Sequence, residues 1–436
     1  MSENDYRFDT LKVRAGYHPE EHNGAVSVPI YQTAAFDFGT EERAERLFQN
    51  EEFGFLYSRI GNPTVDVLER RVAALDGASG AIAFASGMAA ITNTLFNVAE
   101  GGGRILTSLH LYGGTVDSFK KLYPKFGIQI DWSDNFSAPE KLEQEIRKDT
   151  KAIYVESVSN PNTEVADISA LAEVAHRHGI PLIVDNTFAT PYLLNPIVFG
   201  ADIVIYSATK NLSGHGNVIA GLVLESGKFN WQNGKFPQFT ETYYTLRDRQ
   251  GNERSFTDVF PDFPFTARLR GVYLNFFGAA LSPFSAYLVL LGLETLSERI
   301  RKQVETTKAV TEFLKQSEHV SWIKYPALGD SREKKLAKKY LPKGAGTVFS
   351  FGLKGGAAQI NTFLESLKLF NFHVNLGDAK SLIVNSPKTT HSELTPSEQN
   401  RANLPPETIR VSIGLEDSQD LTADLEQALR QAFGEK

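Results

Sequence analysis

From about residue 80 to residue 225, short β-rich runs alternate with helical segments: Ala81-Ile82-Ala83-Phe84, Arg104-Ile105-Leu106, Ile128-Gln129-Ile130, Ala152-Ile153-Tyr154-Val155, Pro181-Leu182-Ile183-Val184 and Asp202-Ile203-Val204-Ile205-Tyr206. Strands separated by a helix's worth of chain cannot close a hairpin, so they pair in parallel with the helix crossing over. The runs are apolar on both faces, as helices packed on either side of a sheet require. The pattern predicts an α/β fold with a mostly parallel sheet. Ligands of such sheets bind beyond the carboxyl ends of the strands. The polar residues that directly follow these runs are therefore the first candidates for chemistry.

The flanking segments lack this alternation. Residues 1–60 read as an extended arm. The segment 228–270 is polar, aromatic and Pro-containing with no clear period, and is expected to be a long functional insertion rather than a core element. One long helix is expected over 283–319, with Pro283 well placed at its start. Beyond it, β-like runs at 347–351, 381–385 and 409–413 mix with helices, the last over 419–433, and read as a smaller α+β domain.

Composition narrows the chemistry. The 436 residues include no cysteine, which excludes disulfides, thiolate nucleophiles, Cys-ligated zinc and iron–sulfur clusters. Covalent work is left to Lys, Ser, Thr, Tyr, carboxylates or a cofactor. Lys and Arg number 45 against 52 Asp and Glu, a net charge of -7, with no basic block, so nucleic acid is not an expected partner. Residues 1–16 hold no apolar signal-peptide core. The uncharged stretch 271–293 is interrupted by Asn275, Ser282, Pro283 and Ser285 and is expected to be buried rather than to span a membrane. A cytoplasmic protein is expected. His176 and His178, two apart on a helix, cannot both face one metal, and no metal site is expected.

Two strand ends carry a specific combination. Asp185-Asn186-Thr187 follows one run and Ser207-Ala208-Thr209-Lys210 the next, about one βαβ unit apart. Either alone would be an ordinary helix cap or surface lysine. Jointly they are what pyridoxal phosphate requires: a Lys amine to join the aldehyde, an Asp to keep the pyridine nitrogen protonated, and hydroxyls for the phosphate. Ser86-Gly87-Met88 follows the first run and opens a helix, where free N–H groups and the helix dipole favour an anion.

Tyr57-Ser58-Arg59-Ile60-Gly61-Asn62-Pro63-Thr64, Ala85-Ser86-Gly87-Met88-Ala89-Ala90, Leu111-Tyr112-Gly113-Gly114-Thr115, Glu156-Ser157-Val158-Ser159-Asn160-Pro161, Val184-Asp185-Asn186-Thr187 and Tyr206-Ser207-Ala208-Thr209-Lys210 together resemble the Cys/Met-metabolism family of pyridoxal-phosphate enzymes, in collinear order over nearly the whole chain. The resemblance implies an aspartate-aminotransferase-like (fold type I) α/β architecture. It divides the chain into an arm (1–60) serving the neighbouring subunit's site, a cofactor domain (61–275, with the 228–270 insertion) and a C-terminal domain (276–436), assembled as a homotetramer of catalytic dimers. It implies Lys210 as the cofactor-binding lysine, Asp185 as the pyridinium partner, and Tyr112 as the ring-stacking and proton-transfer residue. Ser86, Gly87, Met88, Thr187, Ser207 and Thr209 would serve the cofactor, with Tyr57 and Arg59 reaching the partner's phosphate. Asn160 would contact the cofactor or the substrate carboxylate, and Asn375, Ser381 and Arg410 would serve the substrate, Arg410 as the carboxylate fork.

Within that family, Asn375-Leu376-Gly377-Asp378-Ala379-Lys380-Ser381-Leu382, Thr389-Thr390-His391-Ser392, Ser213-Gly214-His215-Gly216-Asn217 and the insertion resemble the branch that exchanges the acetyloxy group of O-acetylhomoserine for sulfide. Gly114 stands where methionine γ-lyases commonly carry Cys. Asn385-Ser386-Pro387-Lys388 departs from the usual His-Pro-Ala-Ser. Methionine γ-lyase or cystathionine γ-synthase activity, or a non-catalytic cofactor-binding role, are the alternatives.

Overall fold

The computed structural model describes residues 6–248 and 250–434. Seven strands, β1 (Gly80–Phe84), β2 (Gly103–Thr107), β3 (Ile128–Trp132), β4 (Thr150–Glu156), β5 (Leu182–Asp185), β6 (Ile203–Tyr206) and β7 (Gly221–Glu225), form one sheet in the order β1-β7-β6-β5-β4-β2-β3. The strands β2 to β6 pair in parallel. Strand β7, which the sequence pattern did not reveal, lies between β1 and β6 and runs antiparallel to both. The other six strands therefore point the same way, and their carboxyl ends share one edge of the sheet.

Side chains alternate across this sheet. Ile153, Leu182, Val184 and Val204 enter one core, while Tyr154, Ile183, Ile203 and Ile205 enter the other, all fully buried. Each such side chain contributes about 1.5–3 kcal/mol relative to an exposed one, enough to hold strands only four residues long. The fold is the α/β, mostly parallel type expected.

The segment 228–270 departs from expectation. Trp231, Phe236, Phe239 and Phe265 are buried in the second core, with Trp231 and Phe265 stacked at 5.1 Å. The Glu225 carboxylate, at the end of β7, accepts hydrogen bonds from Trp231 Nε1 at 3.0 Å, Phe265 N at 3.2 Å and Thr266 N at 2.8 Å. Both ends of the segment are thus clamped to the sheet, and its aromatic residues are core rather than surface. The hairpin of β8 (Tyr243–Arg247) and β9 (Glu253–Arg254) is its most exposed part.

A second, antiparallel sheet follows: β10 (Val320–Lys324), β11 (Val348–Leu353), β12 (Leu382–Asn385) and β13 (Thr408–Ser412), in the order β10-β11-β13-β12. Helix Ser418–Phe433 packs Leu421, Leu425 and Leu429 against Phe349 and Phe351 of this sheet. The expected helix over 283–319 is two helices, Pro283–Glu294 and Leu296–Gln316. The break has a local cause. Gly292 O accepts from Arg299 Nη2 at 2.6 Å and from Thr295 N at 3.3 Å, so it is not free to continue the helical ladder. The arm holds two short helices, Phe8–Arg14 and Glu41–Phe48. Among the described residues no helix is long and apolar enough to cross a membrane.

Candidate active site

The carboxyl edge of the large sheet meets the loops around β12 and β13, and between them lies a cavity of about 220 Å³. Ser86, Gly87, Met88, Tyr112, Asn160, Asp185, Thr187, Ser207, Thr209, Lys210, Asn375 and Arg410 all line it. Ser381 does not, and neither do Tyr57 and Arg59, which the resemblance assigns to the neighbouring subunit's phosphate rather than to this cavity. Ser381 is buried behind it, its Oγ donating to Glu416 Oε2 at 2.8 Å and accepting from Gly414 N at 2.9 Å. Tyr57 and Arg59 sit on the arm, Tyr57 exposed, with the guanidinium 5.2 Å from the phenol ring centre.

Asp185 closes β5 as a buried carboxylate. Its Oδ1 accepts from Thr187 N at 3.0 Å and its Oδ2 from the Tyr154 hydroxyl at 3.3 Å. Burial pushes its pKa up, against these hydrogen bonds. Its partners are neutral donors, and among the described residues no ion pair engages it. A buried carboxylate in that position favours a positive N–H from a ligand.

Lys210 follows β6. Its Nζ donates to Asn375 Oδ1 at 2.7 Å. Burial, reinforced by the nearby Arg410 charge, lowers the amine to about 8, so a larger share of it is the neutral nucleophile near physiological pH. Arg410, buried on β13, donates from Nη1 to Asn160 Oδ1 at 3.0 Å and from Nη2 to the Asn375 carbonyl at 2.9 Å. Its fork is held from both sides, ready for a carboxylate.

The third wall is an anion cradle. Helix Gly87–Val98 starts here with the Ser86 Oγ accepting from Ala89 N at 3.0 Å, which leaves the first N–H groups of the helix free for a ligand. A Cβ on Gly87 would lie 2.7 Å from Ser207 Cβ, so only glycine lets the helix end approach the Ser207 loop. Thr209 Oγ1 accepts from Ala220 N at 3.0 Å. Thr187 Oγ1 accepts from Ser207 N at 2.8 Å. Tyr112 caps helix Gly113–Lys121, and a Cβ on Gly114 would lie 2.6 Å from its ring. The absence of a side chain at that position makes room for the phenol.

Two further residues complete the site without having been expected there. Glu156, the last residue of β4, lines the cavity, and its Oε1 accepts from Tyr112 N at 2.6 Å. His391 is buried, its ring nitrogens 3.0 Å from Thr390 Oγ1 and 3.2 Å from the Leu111 carbonyl; burial and Arg410 hold it down to about 4, a neutral imidazole that fastens the 389–392 loop to the Tyr112 turn. The strand-end rule that identified Asp185 applies equally to Glu156. His391 follows no strand end, and only the resemblance of Thr389-Thr390-His391-Ser392 points to its loop.

A lysine, a charge-deficient buried Asp, a helix N-terminus flanked by hydroxyls and a fixed Arg fork form a donor set that fits pyridoxal phosphate and an amino-acid carboxylate. A family model for Cys/Met-metabolism PLP-dependent enzymes matches residues 9–430. The chain belongs to this family. As a Cys/Met-metabolism enzyme it is PLP-dependent. It is 42% identical over 427 residues to O-acetyl-L-homoserine sulfhydrylase 1 of Thermus thermophilus, covering 97% of this chain and 100% of that one. It is 40% identical over 432 residues to the O-acetyl-L-homoserine sulfhydrylase of Leptospira meyeri, covering 98% and 97%. A crystal structure of a candidate O-acetylhomoserine (thiol)-lyase from Campylobacter jejuni, holding N'-pyridoxyl-lysine-5'-monophosphate, superposes with a TM-score of 0.92 at 36% identity, over 98% of this chain and 100% of that one. The fold is that of the fold type I PLP enzymes.

Proposed function

We propose that this Cys/Met-metabolism enzyme carries out γ-replacement on O-acetyl-L-homoserine. The Cγ–O bond breaks, sulfide forms a Cγ–S bond, and L-homocysteine and acetate leave. The observation that carries the reading is the convergence of Lys210, Asp185 and Arg410 on one cavity between the two sheets. The sulfhydrylases at about 40% identity over full length support it.

Bound pyridoxal phosphate supplies an electron sink for the amino acid's α-carbon. The protein's part is positioning and proton movement. Arg410, kept rigid by Asn160 and Asn375, takes the substrate carboxylate and sets the Cα–H bond toward Lys210. The Lys210 Nζ carries one proton at a time: it takes the Cα proton and releases it before taking one from Cβ as the acetyloxy group departs from Cγ, and it returns protons to Cβ and Cα once the Cγ–S bond has formed. Asp185 holds a proton on the cofactor ring nitrogen. Gly87, Met88, Ser207 and Thr209 would hold the phosphate of the cofactor, and Tyr112 would stack on its ring and assist proton transfer. Tyr57 and Arg59 act on the phosphate of a neighbouring subunit, in a homotetramer of catalytic dimers working in the cytoplasm. Ser381 holds Glu416 and the Gly414 turn in place behind the substrate loop.

The deciding test is a nucleophile competition on O-acetylhomoserine with sulfide, methanethiol and cysteine side by side, and methionine offered alone in parallel. Homocysteine formed fastest from sulfide supports the reading. Preference for cysteine would make the enzyme a cystathionine synthase. Ammonia and a 2-oxo acid from methionine, with no homocysteine, would make it a lyase.

A further inference from the structure

Glu156 sits where a second charge would be costly. In the sheet it is the register partner of Asp185, only 6% exposed, and Oε2 has no hydrogen-bond partner. The groups facing it are Asp185 on β5, the Tyr154 hydroxyl on its own strand, Arg410 on β13, and the backbone N–H groups of Tyr112 and Asn160. A lone ionised oxygen beside another buried carboxylate is unfavourable, and a proton on Oε2 removes the conflict. Burial and Asp185 push its pKa well above the carboxylate range, consistent with that state.

Its Oε1 has a definite task. Tyr112 is followed by Gly113 and Gly114, two residues whose backbones are unusually free, and the Tyr112 N–H is bound to Glu156 at 2.6 Å. We propose that Glu156 is a positioning residue: its carboxyl ties the Tyr112 turn to the strand end beside Asp185 and fixes the phenol over the cofactor. The role rests on the γ-replacement reading only in the choice of assay.

Glu156→Ala, Glu156→Gln and Tyr112→Phe are compared in wild-type and combined backgrounds. The readouts are kcat and KM, visible circular dichroism of bound pyridoxal phosphate, cofactor Kd and Tm. Glu156→Ala is expected to lower kcat about 10- to 100-fold, as misplacement of a reacting group does, with a changed visible dichroism and a smaller effect on KM. Glu156→Gln, which keeps an acceptor and an uncharged end, is expected to recover most of the loss. In the Tyr112→Phe background Glu156→Ala is expected to cost little more. Full activity of Glu156→Ala would overturn the proposal. So would a Glu156→Gln as impaired as Glu156→Ala, or losses that simply add to those of Tyr112→Phe. Should Glu156→Ala not fold, Glu156→Met replaces it, retaining bulk without an acceptor. If wild type makes no homocysteine, the γ-replacement reading fails, while the dichroism and cofactor Kd still decide the role of Glu156.

Discussion

Lys210 Nζ donates to Asn375 Oδ1 across 2.7 Å, a bond that joins the loop after β6 to the loop before β12. The reacting amine is thereby held by both halves of the structure, and the same Asn375 carries Arg410 on its carbonyl. Amine and carboxylate fork are positioned through one residue.

The lowered amine has a measurable consequence. In apo protein, the rate at which added pyridoxal phosphate becomes covalently attached should rise with pH and reach its half-maximum near the value of about 8 set by burial and Arg410. Stopped-flow absorbance, with borohydride trapping as a check, reads it. A midpoint at the ordinary lysine value of 10.5 would mean that the environment does not act on Lys210.

Arg410→Lys should fold and bind cofactor, because Asn160 and Asn375 can still receive a cation. It loses the planar fork, so kcat/KM should fall by about two orders of magnitude, equivalent to roughly 3 kcal/mol for a charged hydrogen-bonded pair. Steady-state kinetics with O-acetylhomoserine check this, and rising KM is expected to account for most of the loss.

Buried Asp76 should make stability depend on pH. Its Oδ2 accepts from the Tyr206 hydroxyl at 2.5 Å, and Tyr206 in turn accepts from Asn186 Nδ2 at 2.9 Å. Burial raises the carboxyl from 3.8 to about 7. A folded-state pKa above the unfolded one gives stability that is fully present below the unfolded value and lost as pH rises through the folded one. Wild type should therefore lose up to about 1.4 kcal/mol per pH unit from this group over that window. Urea unfolding at several pH values should show Asp76→Asn with a flatter profile.

Glu225 should matter more for stability than a strand-end residue usually does. Removing its carboxylate strands the Trp231, Phe265 and Thr266 donors in a dry core. Glu225→Ala should cost about 3 kcal/mol or more, visible as a lower Tm, with the 228–266 region showing the largest gain in hydrogen exchange.

Much of the site was legible because its rule is topological: residues directly after parallel strands converge on one edge. Asp185, Ser207 and Lys210 obey it, and so does Glu156 at the end of β4, although no requirement of the cofactor points to a second carboxylate there. Strand β7 escaped because it is antiparallel and follows a loop rich in small residues instead of a crossover helix. The aromatic residues of 228–270 carry no period, since they are held by side-chain stacking and by Glu225 rather than by a regular element. The interruption at Thr295 depends on Arg299 reaching back to Gly292, a local side-chain contact with no sequence period. Ser381 was placed in the substrate site by resemblance, while its hydroxyl is committed to Glu416 and Gly414.

The most direct test of the whole account is the initial rate of homocysteine and acetate formation from O-acetylhomoserine and sulfide, compared between wild type and Lys210→Ala at equal cofactor saturation. The account predicts equal amounts of both products from wild type and none above background from Lys210→Ala. Undiminished turnover by Lys210→Ala would contradict it.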